Sequence, residues 1–286
     1  MQIFREIRPF RAFLVGKQME RKSIGFVPTM GALHEGHLAL LNASKSQNII
    51  TVCSIYINPT QFNNAADLAN YPRSIEKDTS LLESVGCDAV FIPDNLEMYN
   101  GESRLRFDFG HLEAVMEGKH RPGHFNGVAL VVSKLLNIVS PTRAYFGQKD
   151  WQQCCRISHL VDELKFNVEV CVVPTVREES GLAMSSRNFR LNEEQRRKAV
   201  RIHDSLIEAR QQLLNGVSVS QVKKMVEKKI SAAHDMRLEY FELASSANLN
   251  LLQDVDESAK PIMCIAAFVG EVRLIDNMFL FENQNS

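Results

Sequence analysis

The stretch from Ile24 to His37 constrains this chain more than any other. Ile24 to Val27 is an apolar run that reads as a buried strand, and Pro28 cannot extend a hydrogen-bond ladder, so the chain is expected to turn there. Leu38, Leu40 and Leu41 then continue as a helix. A strand, a turn and a helix start leave backbone N–H groups free at the positive end of the helix dipole. Gly31 and Gly36 bring no side chain that would hold a phosphate away, so Met30-Gly31-Ala32-Leu33-His34-Glu35-Gly36-His37 reads as an anion site. His34 and His37 would share one face of the first turn and add two donors. The same residues also suit a metal site, or two solvated histidines at an ordinary helix start.

A chain of 286 residues exceeds what one hydrophobic core usually spans, which predicts one large domain and a smaller one. The formal net charge of −1 gives no electrostatic reason to expect nucleic acid, since a duplex or tRNA binder carries a basic excess or stripe. The expected partner is a small molecule. The cysteines at 53, 87, 154, 155, 171 and 264 form no Cys-x-x-Cys pair, which argues against a zinc ribbon or a disulfide framework and fits a reducing cytoplasm. Arg5, Arg8 and Arg11 interrupt the N-terminus, and Ser133, Lys134 and Asn137 break the run from Val128 to Val139, so no membrane segment is expected.

Strand-like and helix-like segments alternate through the first 170-odd residues, the pattern of an α/β Rossmann-like parallel sheet with crossover helices. Ile49 to Ile57 reads as a second central strand, ended by Asn58-Pro59-Thr60-Gln61-Phe62, where open α/β sheets bind ligands. Ser74 to Val85 reads as a helix in which Asp78 is a solvated carboxylate in preference to a magnesium contact. Ala89 to Pro93 reads as a short strand, and Arg104 to Phe109 as a further, more exposed one.

Gly118 to Gly127 concentrates glycines with Lys119, His120, Arg121 and His124, a composition that suits a mobile lid over an anionic substrate and equally a solvated surface loop. The stripe Val128, Val131, Val132, Leu135, Leu136 and Val139 reads as helix core. Pro141 to Phe146 is the next strand, followed by Gly147-Gln148-Lys149-Asp150 and a helix from Trp151 to Leu164, so the first junction's geometry recurs with a lysine added. Val168 to Val173 closes this unit, which is taken as residues 1–174. Residues 175–286 read as a small α+β domain: Met184-Ser185-Ser186-Arg187-Asn188 as a phosphate loop, helices at Asn192 to Asn215 and Val219 to His234, and strands at Leu238 to Ala244, Ile262 to Val269 and Val272 to Ile275.

In their order, Pro28 to His37, Asn58 to Phe62, Gly147 to Gln153 and Met184 to Asn188 resemble the signatures of the pantothenate synthetase family. That family lies within the nucleotidylyltransferase and class I aminoacyl-tRNA synthetase-like superfamily. The resemblance implies ATP-dependent condensation of (R)-pantoate with β-alanine through a pantoyl adenylate, with Mg2+ accompanying ATP, no protein metal site and a homodimer. It implies that His34 and His37 hold the phosphates, with His37 as proton donor. Lys149 and Arg187 would stabilise developing charge, and Ser185 and Ser186 would hold the pyrophosphate. Gln61, Gln153 and Asn58 would bind the acid substrates, with Asp150 and the Val176 backbone on the adenosine. Gln148 stands where many members carry Glu. A nucleotidylyltransferase that leaves AMP on its product, or a non-catalytic nucleotide-binding module, shares the first motif and remains open on the residues alone.

Overall fold

The computed structural model describes residues 1–63, 65–101 and 103–281. Chain order is β1 (Gln2–Phe4), α1 (Ile7–Met19), β2 (Ile24–Thr29), α2 (Glu35–Gln47), β3 (Ile50–Ile55), α3 (Ala65–Ala69), α4 (Ile75–Ser84), β4 (Ala89–Phe91) and α5 (Asn95–Met98). Then come α6 (Met116–His120), α7 (His124–Val139), β5 (Arg143–Gly147), α8 (Trp151–Leu164) and β6 (Glu169–Val173). The C-terminal part holds α9 (Glu193–Leu214), α10 (Val219–Ser231), β7 (Met236–Ser245), β8 (Pro261–Val269) and β9 (Val272–Phe279).

The first six strands form one parallel sheet in the order β1-β4-β3-β2-β5-β6. Its central strands are apolar on both faces because helices cover both: β3 is buried along its whole length, and β2 at all but one position. One face packs Phe10, Phe26, Phe91, Val132 and Ile157 against α1, α7 and α8. The other packs Val27, Leu41, Cys53, Leu82 and Val90 under α2 and α4. The last three strands form a separate antiparallel sheet, β7-β8-β9, backed by α9 and α10 around Leu206, Val226, Leu243 and Ile265.

Several expectations are corrected here. β2 does not stop before Pro28: it runs through Pro28 to Thr29, paired with Ser54 and Ile55 of β3, while β5 pairs with it only at Gly25 and Phe26. Proline is tolerated where one side of the ladder is missing. Arg104 to Phe109 forms no strand, because β1 already occupies the place beside β4; Asn126 instead accepts from the Phe107 amide. That N-terminal strand and α1 carried no sequence reading. β6 covers Glu169–Val173 of the expected Val168 to Val173 and is an edge strand, with Val172 38% exposed. β9 extends to Phe279, four residues past the expected Ile275. Gly270-Glu271 forms the two-residue hairpin joining Val269 to Val272.

The two ends of the Gly118–Gly127 segment are packed, while Lys119, Pro122 and Gly123 between them are exposed. Residues 116–120 are helical, α7 begins at His124, and Glu117, Gly118 and His124 are buried. Two of the segment's three glycines are there for close approach: a Cβ at Gly118 would lie 2.5 Å from the Glu113 carbonyl oxygen, and one at Gly127 2.3 Å from that of Thr60, whereas Gly123 meets nothing within 4 Å and takes φ of +78°. Among the described residues, no helix is long and apolar enough to cross a membrane.

This packing predicts opposite outcomes for two helical glycines. Gly127→Ala drives a methyl into the Thr60-Gln61 backbone and should lower unfolding free energy by about 1–3 kcal/mol. Gly16→Ala in α1 meets nothing within 4 Å and should raise it by about 0.5–1 kcal/mol. Urea unfolding of both variants reads the difference.

Candidate active site

The strand order reverses between β2 and β5. From β2 the chain moves outward through β3 to β4, then returns to place β5 and β6 on the other side. Loops leaving the carboxyl ends of two such strands diverge and open a crevice. The two glycine-bearing turns, Met30–His34 after β2 and Gln148–Asp150 after β5, are therefore brought to one cleft by strand order, although more than a hundred residues separate them.

The turn after β2 is not the cradle of free amides that the sequence suggested. The Gly31 amide donates to Thr29 Oγ1 at 3.2 Å, and those of Ala32 and Leu33 donate to the two carboxylate oxygens of Asp78 at 2.9 and 2.8 Å. Asp78 is 2% exposed, so it is neither a solvated carboxylate nor a magnesium contact but the anchor of this loop. Gly31 is required twice over, by φ of +78° and because a Cβ would lie 2.8 Å from Asp78 Oδ2. Ala32 and Leu33 are buried, Glu35 is exposed, and none of Gly31, Ala32, Leu33 or Glu35 lines the cleft.

His34 caps α2 and does not belong to its first turn. Its Nδ1 accepts from the Gly36 amide at 3.1 Å, and His37 Nδ1 accepts from the His34 amide at 3.3 Å. The rings are tilted at 46° with centroids 4.1 Å apart, and Gly36 is glycine because a Cβ would meet the His34 ring at 2.8 Å. Two neutral imidazoles whose Nδ1 atoms accept must carry their protons on Nε2. Burial, then His37 and Lys149, lowers the His34 pKa to about 3; burial and Lys149 lower that of His37 to about 4. The pair is thus a set of neutral Nε2–H donors in a positive field, and the anion-binding capacity lies in side chains.

Met30, His34, Gly36 and His37 line the cleft, facing Gly147, Lys149, Asp150 and Gln153 from the second turn. The C-terminal sheet holds that turn: Asn277 Nδ2 of β9 donates to the Gln148 and Lys149 carbonyls at 2.9 and 2.8 Å. Gln148 itself points to Asn277 at 3.4 Å and does not line the cleft. Val176, Met184, Ser185, Ser186 and Arg187 close the cleft from the other side. Ser186 Oγ donates to the Ala32 carbonyl at 3.1 Å, joining this loop to the first turn. Ser185 Oγ accepts from the Arg187 amide, and Arg187 Nη2 pairs with Asp67 Oδ2 at 2.9 Å.

The remaining wall is apolar. Val128, Val131, Val132 and Leu135 line the cleft, so the stripe read as core also floors the site. Gln61 is at its edge, its Nε2 donating to Met30 Sδ at 2.7 Å. Asn58 does not reach the cleft: it is 1% exposed, donates to the Gly127 carbonyl at 3.0 Å and accepts from the Tyr99 hydroxyl at 2.9 Å. It is a clamp that sets Gln61, not a ligand-binding group. Tyr71, Arg121 and His124 also line the cleft, without having been singled out as site residues. Arg121 and His124 were visible only as part of a cationic string, and nothing in sequence marked Tyr71.

Comparison with known proteins gives the family. The family model for pantoate-β-alanine ligase matches residues 2–279. A pantothenate synthetase of Bacteroides thetaiotaomicron is 44% identical over 278 residues, covering 97% of this chain and 98% of that protein. The chain belongs to the pantoate-β-alanine ligase family. The fold of this ligase is similar to crystal structures of two relatives. Pantothenate synthetase from Thermus thermophilus has a TM-score of 0.91 at 40% identity, covering 99% of this chain and 100% of that one. The Francisella tularensis enzyme, complexed with β,γ ATP and β-alanine, has a TM-score of 0.78 at 32% identity, with 98% of each chain covered.

His124 completes the ligase's set of fixed imidazoles. Arg121 Nη1 can only donate, so His124 Nε2 accepts it at 3.0 Å and Nδ1–H donates to the Gln61 carbonyl at 2.7 Å. Burial and the Arg121 charge lower its pKa to about 3. All three histidines are neutral when folded but protonate near their ordinary value of 6.5 when unfolded. Between about pH 6.5 and 4 the unfolded chain therefore binds more protons, so stability falls as pH falls through that window. Urea midpoints measured from pH 7 to 4.5 should decline, and His124→Asn should make the decline shallower.

Proposed function

We propose that this chain carries out ATP-dependent ligation of pantoate and β-alanine in two steps, through a pantoyl adenylate. A carboxylate is a poor electrophile, and adenylation converts one oxygen into a leaving group. A pantoate oxygen attacks the α-phosphorus and pyrophosphate departs; the amine of β-alanine then attacks the acyl carbon, loses a proton and expels AMP. Both steps need alignment and charge neutralisation more than covalent help from the protein.

The observation that carries this reading is the meeting of the Met30–His37, Gly147–Gln153 and Met184–Arg187 strings in one cleft at the strand-order reversal. In this reading His34 and His37 donate hydrogen bonds from Nε2 to phosphate oxygens; a neutral imidazole has no acidic proton to give, so the proton-donor role that the resemblance implies for His37 requires the bound triphosphate's charge to protonate it first. Lys149 and Arg187 carry the charge that develops as pyrophosphate leaves, and Ser185 and Ser186 hold that product. For Arg187 this means exchanging Asp67 for phosphate. Gln61 and Gln153 hold the hydroxyl and carboxyl groups of pantoate above the apolar floor, and Asp150 and the Val176 backbone take the adenosine. Magnesium arrives on the triphosphate as part of the substrate. Residues 1–174 supply the binding floor and residues 175–286 the phosphate loop, in a cytoplasmic homodimer.

Labelled pyrophosphate should exchange into ATP when pantoate is present and β-alanine absent, and β-alanine alone should give none. Exchange that strictly requires β-alanine, or formation of ADP in place of AMP, rejects the adenylate. Lys149→Ala should lower turnover about 10²- to 10³-fold, because loss of a preorganised charge at a transition state costs about 3–4 kcal/mol. ATP affinity should change less, and near-normal turnover removes Lys149 from the catalytic set.

A further inference from the structure

Among the described residues, three lysine and arginine side chains line the cleft: Lys149, Arg187 and Arg121. The first two are accounted for by the triphosphate. Arg121 feels the charges of Arg187 and Asp67 on the phosphate side, but its ion-pair partner Glu117 belongs to a charge network completed by the C-terminal sheet. Its neighbour Glu117, on α6, is 6% exposed and accepts from Arg273 Nη1 and Nη2 at 2.9 and 2.6 Å and from the Tyr240 hydroxyl at 2.8 Å. Arg273 is itself held from the far side by Glu239, which accepts from its Nε at 2.9 Å. Burial alone would raise the Glu117 pKa; the hydrogen bonds and charge of Arg273, then the charge of Arg121, outweigh it and hold the carboxyl down at about 2.

Glu117 therefore sits ionised between two guanidinium groups that it does not hold equally. It makes a close fork with Arg273, whereas Arg121 Nη1 lies 3.6 Å from Oε2. Arg121 is 14% exposed, lines the cleft, and is linked through His124 to the Gln61 carbonyl, at the end of the cleft that faces the acid substrate. A buried carboxylate cannot stay half-neutralised. Because Arg273 satisfies Glu117, Arg121 keeps charge available for a further anion. Without Arg273, Glu117 would draw Arg121 in as its main partner and out of the cleft.

We propose that Arg121 receives the carboxylate of the amine substrate, and that Arg273 on β9 is its positioning residue, acting through Glu117. This rests on the ligase reading above. The amine substrate carries a carboxylate that takes no part in the chemistry, and a fixed guanidinium holding it would aim the amine at the acyl carbon. The far sheet would thereby govern the second half-reaction while leaving adenylation to the phosphate-facing groups.

The test uses the full chain and two assays: pantoate-dependent pyrophosphate exchange without β-alanine, and the β-alanine KM of the complete reaction. Arg121→Ala should raise the β-alanine KM about 10- to 100-fold, the worth of one charge-assisted hydrogen bond, while exchange stays close to the parent's. Propylamine, which has the amine but no carboxylate, should be used equally poorly by parent and variant. Arg273→Gln should shift the β-alanine KM the same way with exchange retained, and Arg273→Lys, which restores the charge but not the fork, should recover part of the loss. If Arg273→Gln does not fold, Arg273→Lys carries the test, with a raised β-alanine KM beside normal exchange expected.

Exchange falling in step with overall synthesis in Arg121→Ala would place Arg121 on phosphate or pantoate and overturn the proposal. So would a β-alanine KM unmoved in the Arg273 variants. Absence of exchange in the parent protein is a different failure, that of the adenylate reading itself.

Discussion

Two hydrogen bonds to one buried carboxylate underlie the whole site. Asp78 enters from α4 and accepts the Ala32 and Leu33 amides, fixing the turn after β2 in a conformation that needs glycine at 31 and φ of +50° at Ala32. Hydrogen bonds to an ionised acceptor are worth about 1.5–3 kcal/mol each, enough to offset a strained backbone that would cost about 1–3 kcal/mol by itself. With that turn fixed, His34 falls at the helix cap, His37 folds back on it, and both Nε2–H groups become donors. The loop engages its amides internally and leaves substrate recognition to side chains.

The C-terminal part supports the site by polar contacts more than by apolar packing. Asn277 holds the carbonyls of Gln148 and Lys149, Asp276 forks with Arg177 at 2.6 and 3.0 Å, and Arg273 neutralises Glu117. Asp276, Asn277 and Arg273 all come from β9, so a single antiparallel strand reaches the turn after β5, the segment leading to the phosphate loop, and α6. A strand is stiff and its register is set by its hairpin partner β8, which makes it a precise support for three separate loops. A small apolar cluster of Met116, Ala244, Leu249, Ile262 and Cys264 seals the same region.

Much of this was legible in the residues. Alternating apolar strands and amphipathic helices predict a parallel sheet, and the observed helix at Trp151–Leu164 has the bounds its spacing implies. Each of the four strings that resemble the family's signatures reaches the cleft, but not at every position: of the residues expected in the site, Gly31, Ala32, Leu33, Glu35, Asn58 and Gln148 do not line it. Those exceptions share one cause: a residue's presence in a motif does not say whether its side chain faces the ligand or the protein. Asn58 and Asp78 are polar, buried and engaged by groups far away in sequence, Asn58 by the Gly127 carbonyl and the Tyr99 hydroxyl and Asp78 by the Ala32 and Leu33 amides, a fate that composition cannot distinguish from solvation.

The sequence by itself determined the class of fold and the chemistry available, because hydrophobic periodicity, proline and glycine act locally and the motif side chains are intrinsically donors and cations. The tertiary structure decided which of them act together. Strand order opened the crevice between β2 and β5, the N-terminal strand took the place beside β4, and close backbone approach at Gly118 and Gly127 packed both ends of an apparent lid. It also placed Arg273 and Asn277 behind the site. Apart from the approach of Gly118 to nearby Glu113, these are long-range pairings, and their energies depend on burial and on partners distant in sequence, which no local pattern encodes.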